Sequence, residues 1–324
     1  MSARSIKEGP KGRHVLALSG GVGGAKLAAG LAAVLPPERL TIAVNTGDDF
    51  EHLGLTICPD IDSVAYALAG LNDTVRGWGV VDESWRTMEM LGRVGEATWF
   101  NLGDRDMAMH LARSWRLRAG ETLSAVTARL TAALGIAHAV VPMSDAPVRT
   151  QIETADGWLD FQRYFVAEQC RPVAKAIRFE GAGAPPSPAL AAALARDDLA
   201  AVVICPSNPF LSVDPILAVG GVRSALAALE VPVVAVSPLV GGKPVKGPLS
   251  KLLQELGSGS DNLAIARHYG ALVDRFVIDR GDATDAQGLR ALSLSVTVTE
   301  TLMRDADDRE RLARAVLAAA GLDE

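Results

Sequence analysis

The sequence predicts an α/β fold: a three-layer, mostly parallel sheet with helices on both faces and a small inserted antiparallel element. Three observations carry this. Short apolar runs alternate along the chain with helical patterns, the signature of strand–helix–strand units around a parallel sheet. The first apolar run leads through a glycine turn directly into a helix. Near the middle, two runs of period-two alternation flank Asp156-Gly157, a strong local hairpin signal.

Taken in order, His14 to Ser19 (HVLALS) reads as a short buried strand, Gly20 to Gly24 as the turn, and Ala25 to Leu31 as the opening of a helix. Pro36-Pro37 marks the turn before a second strand, Leu40 to Asn45. Further buried strands are expected at His138 to Pro142, Ala201 to Pro206, Val231 to Ser237 and Asp274 to Ile278. Helices are expected over Thr122 to Leu134, Asp214 to Leu229 and Asp305 to Ala320. The hairpin, Arg149 to Thr154 and Trp158 to Phe161, belongs to an inserted element between about residues 145 and 185. Gly181 to Pro188 (GAGAPPSP) is the best linker candidate. The organisation is one large domain over residues 14–324, preceded by a flexible polar segment, 1–13.

Composition bounds the function. The chain has 324 residues, 49% hydrophobic and 22% charged, enough apolar sequence for a sizeable core. A net charge of −6 argues against a broad nucleic-acid footprint, so a bound polyanion must be met by a few local cations, backbone amides or a metal. The first 13 residues lack the apolar stretch of a secretory signal, and no apolar run reaches membrane-spanning length. The expected location is the cytoplasm, with no membrane partner. Cys58, Cys170 and Cys205 are widely spaced and suggest neither a zinc site nor a disulfide framework.

The glycine turn is the first candidate site. Glycines allow close backbone approach, and a helix N-terminus offers unpaired N–H groups and partial positive charge to phosphate. The turn lacks both the GxGxxG spacing and the terminal Lys-Ser/Thr of the named phosphate motifs, and it also fits a tight strand-to-helix turn without a ligand. The second strand ends in Asn45-Thr46-Gly47-Asp48-Asp49, at the sheet edge where α/β proteins bind ligands. Asp60 and Asp62 follow just before a helical pattern. Carboxylates beside a phosphate turn suit Mg²⁺; a turn role for Asp60 and an N-cap role for Asp62 are the plain alternatives. Asn101 to Asp106 (NLGDRD) precedes another helix and fits either an active-site loop or a surface ion network; His110 behind it is given no catalytic role. Three loops that follow strands, Pro142 to Val148, Pro206 to Phe210 and Ser237 to Pro248, combine fixed turns with hydrogen-bonding side chains. Lys243 and Lys246 in the last are available to a diphosphate, or are solvated lysines on a surface loop.

These segments together closely resemble the CofD-like 2-phospho-L-lactate transferases of coenzyme F-420 biosynthesis. The resemblance rests on SGGVGGAKL (Ser19 to Leu27), VNTGDDFEHLGLTICPDIDS (Val44 to Ser63), RGWG (Arg76 to Gly79), NLGDRDMAMH (Asn101 to His110), PMSDAPVRTQIET (Pro142 to Thr154), PSNPFLSVDPI (Pro206 to Ile216) and SPLVGGKPVKGP (Ser237 to Pro248), in family order. It implies a Rossmann-like fold and an Mg²⁺-dependent transfer. A phospho-three-carbon acid (phospholactate, or its phosphoenolpyruvate or phosphoglycerate equivalent) passes from a guanosine-diphospho-linked donor to the ribityl hydroxyl of the deazaflavin Fo, releasing GMP. No motif reads out which acid. By the same resemblance, Asp48 and Asp62 ligate the metal, and Asp62 and Asn101 contact Fo, with Asp104 added for its proximity to Asn101. Gly20, Gly21, Gly23 and Gly24 lie against the diphosphate; Ser207, Asn208 and Pro209 form part of the guanosine pocket; Lys243 meets the phosphates. Asp48, Asp49 and Asp62 are the candidates to take the ribityl proton. A homodimer is the family expectation. The alternative is a related class of non-catalytic, nucleotide-sugar-binding regulators, but Phe50 to Gly54 after Asp49 follows the transferase pattern.

Overall fold

The computed structural model describes residues 13–245, 247–257 and 259–322; the segment expected to be flexible, except Arg13, and Lys246 lie outside them. We number the strands of the central sheet β1 (His14–Ser19), β2 (Leu40–Val44), β3 (Ala139–Pro142), β4 (Leu199–Ile204), β5 (Val233–Val236), β6 (Arg275–Asp279) and β7 (Ser295–Thr299). Their order is β3-β2-β1-β4-β5-β6-β7, and every neighbouring pair is parallel. The chain therefore winds outward from β1 in one direction and then, from β4, in the other. That reversal leaves a crevice at the carboxyl ends of β1 and β4.

The central strands are buried on both faces, which explains their unbroken apolar sequences. Alternation along β1 divides the core: Leu16 and Leu18 face one layer, Val15 and Ala17 the other. The second layer holds α1 (Gly21–Val34), α2 (Pro59–Ala69) and the C-terminal helix Ala306–Ala319, with α1 packed between the other two. The first holds Pro188–Leu194, Val222–Ala228, Leu249–Glu255 and Asn262–Tyr269. A subsidiary cluster of Leu55, Ile57, Met88, Leu102 and Met107 joins the hairpin Phe50–His52/Leu55–Ile57 to α3 (Arg86–Arg93) and α4 (Asp104–Arg118) beside the crevice. The expected hairpin forms with Gly157 at φ +107°, and Ala176–Glu180 adds a third antiparallel strand beside Arg149–Thr154.

The structure departs from the expectations in four places. The glycines are not a loop before the helix: α1 starts at Gly21, so they form its first turn. The helix expected over Asp214 to Leu229 is two, Asp214–Ala218 and Val222–Ala228, because Gly221 takes φ +83° and the axis turns by 87° between Pro209–Ala218 and Val222–Ala228. The edge strand β7 was missed, since its Ser-Val-Thr-Val-Thr sequence is only partly buried. Gly181 to Pro188 is not a loose linker. The Ser187 N–H donates to the Met143 carbonyl at 3.0 Å, and the Ser187 hydroxyl caps the Leu190 N–H at 3.3 Å. Among the described residues no single helix is long and apolar enough to cross a membrane.

Candidate active site

A cavity of about 580 Å³ opens at this crevice. The first turn of α1 forms its floor. Gly20 is the N-cap in an extended conformation, and Gly21 has φ +64°, which favours glycine. The Ser207 hydroxyl accepts from the Gly20 N–H at 3.2 Å and donates to its carbonyl at 2.8 Å, stitching the loop after β4 to the loop after β1. A side chain at Gly23 would lie 2.4 Å from the Pro206 carbonyl, and one at Gly24 would lie 2.5 Å from the Ser207 hydroxyl. These two glycines thus serve loop packing. Gly20, Gly21 and Gly23 still line the cavity; Gly24 is buried against Ser19 and Ser207 and does not. Ser207 and Asn208 are also on the wall, the Asn208 carbonyl oxygen capping the Phe210 and Leu211 N–H groups, whereas Pro209 is buried behind them.

Carboxylates gather beside this floor. Asp48, Asp60, Asp62 and Asp106 all line the cavity. The Asn45 amide donates to Asp48 at 3.2 Å, to Asp60 at 2.9 Å and to the Leu211 carbonyl at 3.2 Å. Asp60 also accepts the Gly21 N–H at 2.7 Å, placing its charge at the α1 N-terminus. Burial and the neighbouring Asp60 push the Asp48 carboxyl well above the usual carboxylate range, and burial pushes Asp60 up to about 6. Asp49 does not line the cavity. Its carboxyl is turned toward Cys58 and Arg149, and burial raises it to about 7. The placement of Asp49 at the reacting centre is therefore corrected.

Asp62 is held differently. Arg113, 1% exposed, grips both of its oxygens, one at 3.1 Å, and reaches the Thr56 carbonyl at 3.4 Å. The same guanidinium lies 3.3 Å from Nδ1 of His110, three residues earlier on α4. Because an arginine only donates, Nδ1 is the acceptor and the ring proton is assigned to Nε2, which lies 3.3 Å from Asp106. Asp106 accepts the Tyr66 hydroxyl at 2.5 Å; burial raises its carboxyl, but His110 and Tyr66 together bring it below the usual range. Ligand atoms of Asp62, Asp106 and His110 lie within 4.8 Å of one another. The sequence assigned no role here to Tyr66 or Arg113, and offered Asp106 only within the Asn101 to Asp106 cluster, as an active-site loop or an ion network. The Asp106–His110–Arg113 spacing on one helix face was the available signal.

Carboxylate oxygens of this kind suit the expected Mg²⁺, and among the described residues the group whose ligand atoms lie within 4.8 Å of one another is Asp62, Asp106 and His110. Asp48 and Asp60 are poorly solvated anions compensated by one neutral amide and one N–H, and an ionised carboxylate has about four lone-pair sites, of which Arg113 occupies two on Asp62. Asp60, for which the sequence offered a metal role or a plain turn role, is joined to Asp48 through the Asn45 amide, whereas Asp62 groups with Asp106 and His110.

The far wall is aromatic. Trp78, Trp99 and Phe100 face the cavity from one side, and Phe161 and Phe165, stacked at 5.3 Å, from the inserted element. Asn101 lines the cavity next to Phe100. Asp104 does not: it accepts from the Ser84 hydroxyl at 2.5 Å and the Arg86 and Thr87 N–H groups at 3.1 and 3.0 Å, tying the start of α3 to α4. Its expected contact with the acceptor is corrected on that ground. Lys243 is exposed and off the wall, although Val240, Val245 and Pro248 of its loop border the cavity. Lys26, on α1, does line it, with Nζ donating to the Met303 carbonyl at 2.7 Å.

Fold and site define a doubly wound α/β protein that presents a helix N-terminus, a carboxylate cluster and an aromatic wall to one crevice. Residues 15–320 match the family model described as 2-phospho-L-lactate transferase CofD, and the chain belongs to that family. It is 39% identical over 311 residues to a phosphoenolpyruvate transferase of Streptomyces griseus subsp. griseus, covering 94% of this chain and 97% of that one. It is 35% identical over 306 residues to a 2-phospho-L-lactate transferase of Methanosarcina mazei, covering 94% of this chain and 100% of the relative. Among solved structures, a UPF0052-family protein from Bacillus halodurans superposes with a TM-score of 0.61 at 18% identity, over 95% of this chain and 100% of that one, a likeness of fold.

Proposed function

We propose that this protein transfers a phospho-three-carbon acid from a guanosine-diphospho-linked donor to the ribityl hydroxyl of Fo, releasing GMP, in coenzyme F-420 biosynthesis. The ribityl oxygen forms a bond to the β-phosphorus, the bridging oxygen leaves with GMP, and the ribityl proton is lost. The observation that carries this reading is the shared crevice: a phosphate-type helix end, a carboxylate cluster and an aromatic wall all border one cavity.

In this reading the donor's diphosphate lies over the first turn of α1, and the deazaflavin ring lies among Trp78, Trp99, Phe161 and Phe165, with Asn101 hydrogen-bonding the acceptor. Asp48, Asp60 and Asp62 hold Mg²⁺, which when bound neutralises phosphate charge. The ribityl proton passes to solvent water, since a metal-bound carboxylate is a weak base. Positioning and charge stabilisation supply most of the catalysis. The same reading makes the protein a cytoplasmic homodimer, which sedimentation of the purified chain tests.

The test is incubation with Mg²⁺, Fo and each guanylylated acid in turn, with products identified by mass. Fo-dependent GMP release with one of the acids is expected. Tight binding of a UDP-sugar with no Fo-dependent GMP release would instead establish the regulator reading.

A further inference from the structure

We propose that Lys26 is the cation that receives the diphosphate of the nucleotide donor, an assignment that rests on the function proposed above. Four carboxylates border the cavity, yet the donor brings a diphosphate into it. A metal alone would have to offset both. Among the described residues, Lys26 is the one lysine or arginine on the wall, while Lys243 is exposed outside it.

Its place on α1 fits the task. Lys26 follows Gly23 by three residues, so the two share a helix face, and both line the cavity. Side chains on an α-helix lean toward its N-terminus, so the Lys26 stem runs back toward the glycine turn. The first turn of α1 carries no acidic side chain of its own. Lysine is a flexible point charge, suited to a diphosphate whose oxygens change geometry during transfer. Its ammonium donates to a neutral carbonyl, that of Met303, in the segment Thr301 to Met303 that also borders the cavity. A phosphate oxygen is a stronger acceptor than that carbonyl. Asp279 fixes the segment by accepting the Thr301 N–H at 2.9 Å and its hydroxyl at 3.2 Å, which holds Met303 as a resting place for the ammonium.

Calorimetry with GDP, and separately with Fo, on Lys26→Met, Lys26→Gln and Lys26→Arg tests this in the presence of Mg²⁺. Methionine keeps the stem without the charge; glutamine keeps a donor for the Met303 carbonyl without the charge. We expect both to lose GDP affinity about tenfold or more, arginine to retain most of it, and Fo affinity to stay unchanged in all three. GDP binding at the wild-type level in Lys26→Met would overturn the assignment. So would wild-type GDP binding in Lys26→Gln alone, which would reduce Lys26 to a clamp on the Met303 segment. If the wild type binds UDP-sugars and not GDP, the transferase reading fails. The same variants titrated with the UDP-sugar then decide the Lys26 assignment separately, because it concerns the diphosphate.

Discussion

Replacing Arg113 should be the most damaging single change near the site, and its size can be worked from contacts. The guanidinium is 1% exposed and serves four acceptor atoms: both oxygens of Asp62, the Thr56 carbonyl and Nδ1 of His110. Arg113→Met preserves much of the volume but leaves a buried carboxylate without its cation. Removing one partner of a buried ion pair typically costs about 3–5 kcal/mol. Asp62 borders the cavity, where water can reach it, which favours the lower end of that range. An unfolding entropy of about 2 cal/mol/K per residue then converts this to a fall of roughly 4–7 °C in Tm. The assay is thermal and urea unfolding of Arg113→Met, Asp62→Asn and the double variant. Because the double variant removes both charges, it should be less destabilised than the sum of the singles, by about 1–3 kcal/mol. A loss below about 1 kcal/mol in Arg113→Met, or strict additivity in the cycle, would refute the view that this ion pair anchors Asp62.

Three further outcomes follow from neighbouring contacts. Asp48→Asn should raise the stability of metal-free protein at neutral pH, since a buried carboxyl beside Asp60 is replaced by a neutral group; turnover with Mg²⁺ should meanwhile fall at least about tenfold. Melting in EDTA and rates of GMP release check the two halves. Asn101→Ala should weaken Fo binding by about 1–3 kcal/mol and leave GDP binding nearly unchanged, as titration with each ligand will tell. Burial raises the Asp279 carboxyl, but hydrogen bonds from Thr301 and Gly281 outweigh it and hold the group below its usual range. A depressed carboxyl stabilises the fold above the unfolded pKa, about 3.9, and loses that contribution as pH falls through the folded value. Asp279→Asn should therefore lower Tm at pH 7, with a smaller difference from wild type near pH 3.

The fold was legible where residue pattern and physical constraint coincide. Buried parallel strands leave unbroken apolar runs such as Leu199 to Ile204, and the Asp-Gly turn declares its hairpin. The strand Ser295–Thr299 lies at a sheet edge, where one-sided burial permits serine and threonine and erases the signal. The site was legible in outline, because Asp48, Asp62, Asn101, Ser207 and Asn208 all reach the cavity. What local sequence could not supply was direction. Asp48 and Asp49 are adjacent, yet one faces the cavity and the other turns to Cys58 and Arg149. Asp104 looks like a site residue but is engaged in joining two helices. Lys243 was the expected phosphate cation, from the family resemblance and its place in a Pro- and Gly-rich loop after a strand. The cation on the wall came instead from α1, one turn beyond the glycines.

The carboxylates bordering the cavity are of two kinds, and the elements behind them explain the division. Those backed by α4 carry permanent partners: Arg113 for Asp62, and Tyr66 with His110 for Asp106. Asp48, in the loop after β2, and Asp60, in the first turn of α2, share the neutral Asn45 amide, and Asp60 also accepts the Gly21 N–H. The partnered pair is fixed in place whether or not a ligand is present. The amide-linked pair is costly without a cation, because two like charges occupy poorly solvated positions. β1 and β4, buried on both faces, hold the loops that follow them in position. The uncompensated negative charge therefore sits beside the glycine turn, where an incoming metal–diphosphate complex would have both its cation and its anion met: the cation by Asp48 and Asp60, the anion by the α1 N-terminus.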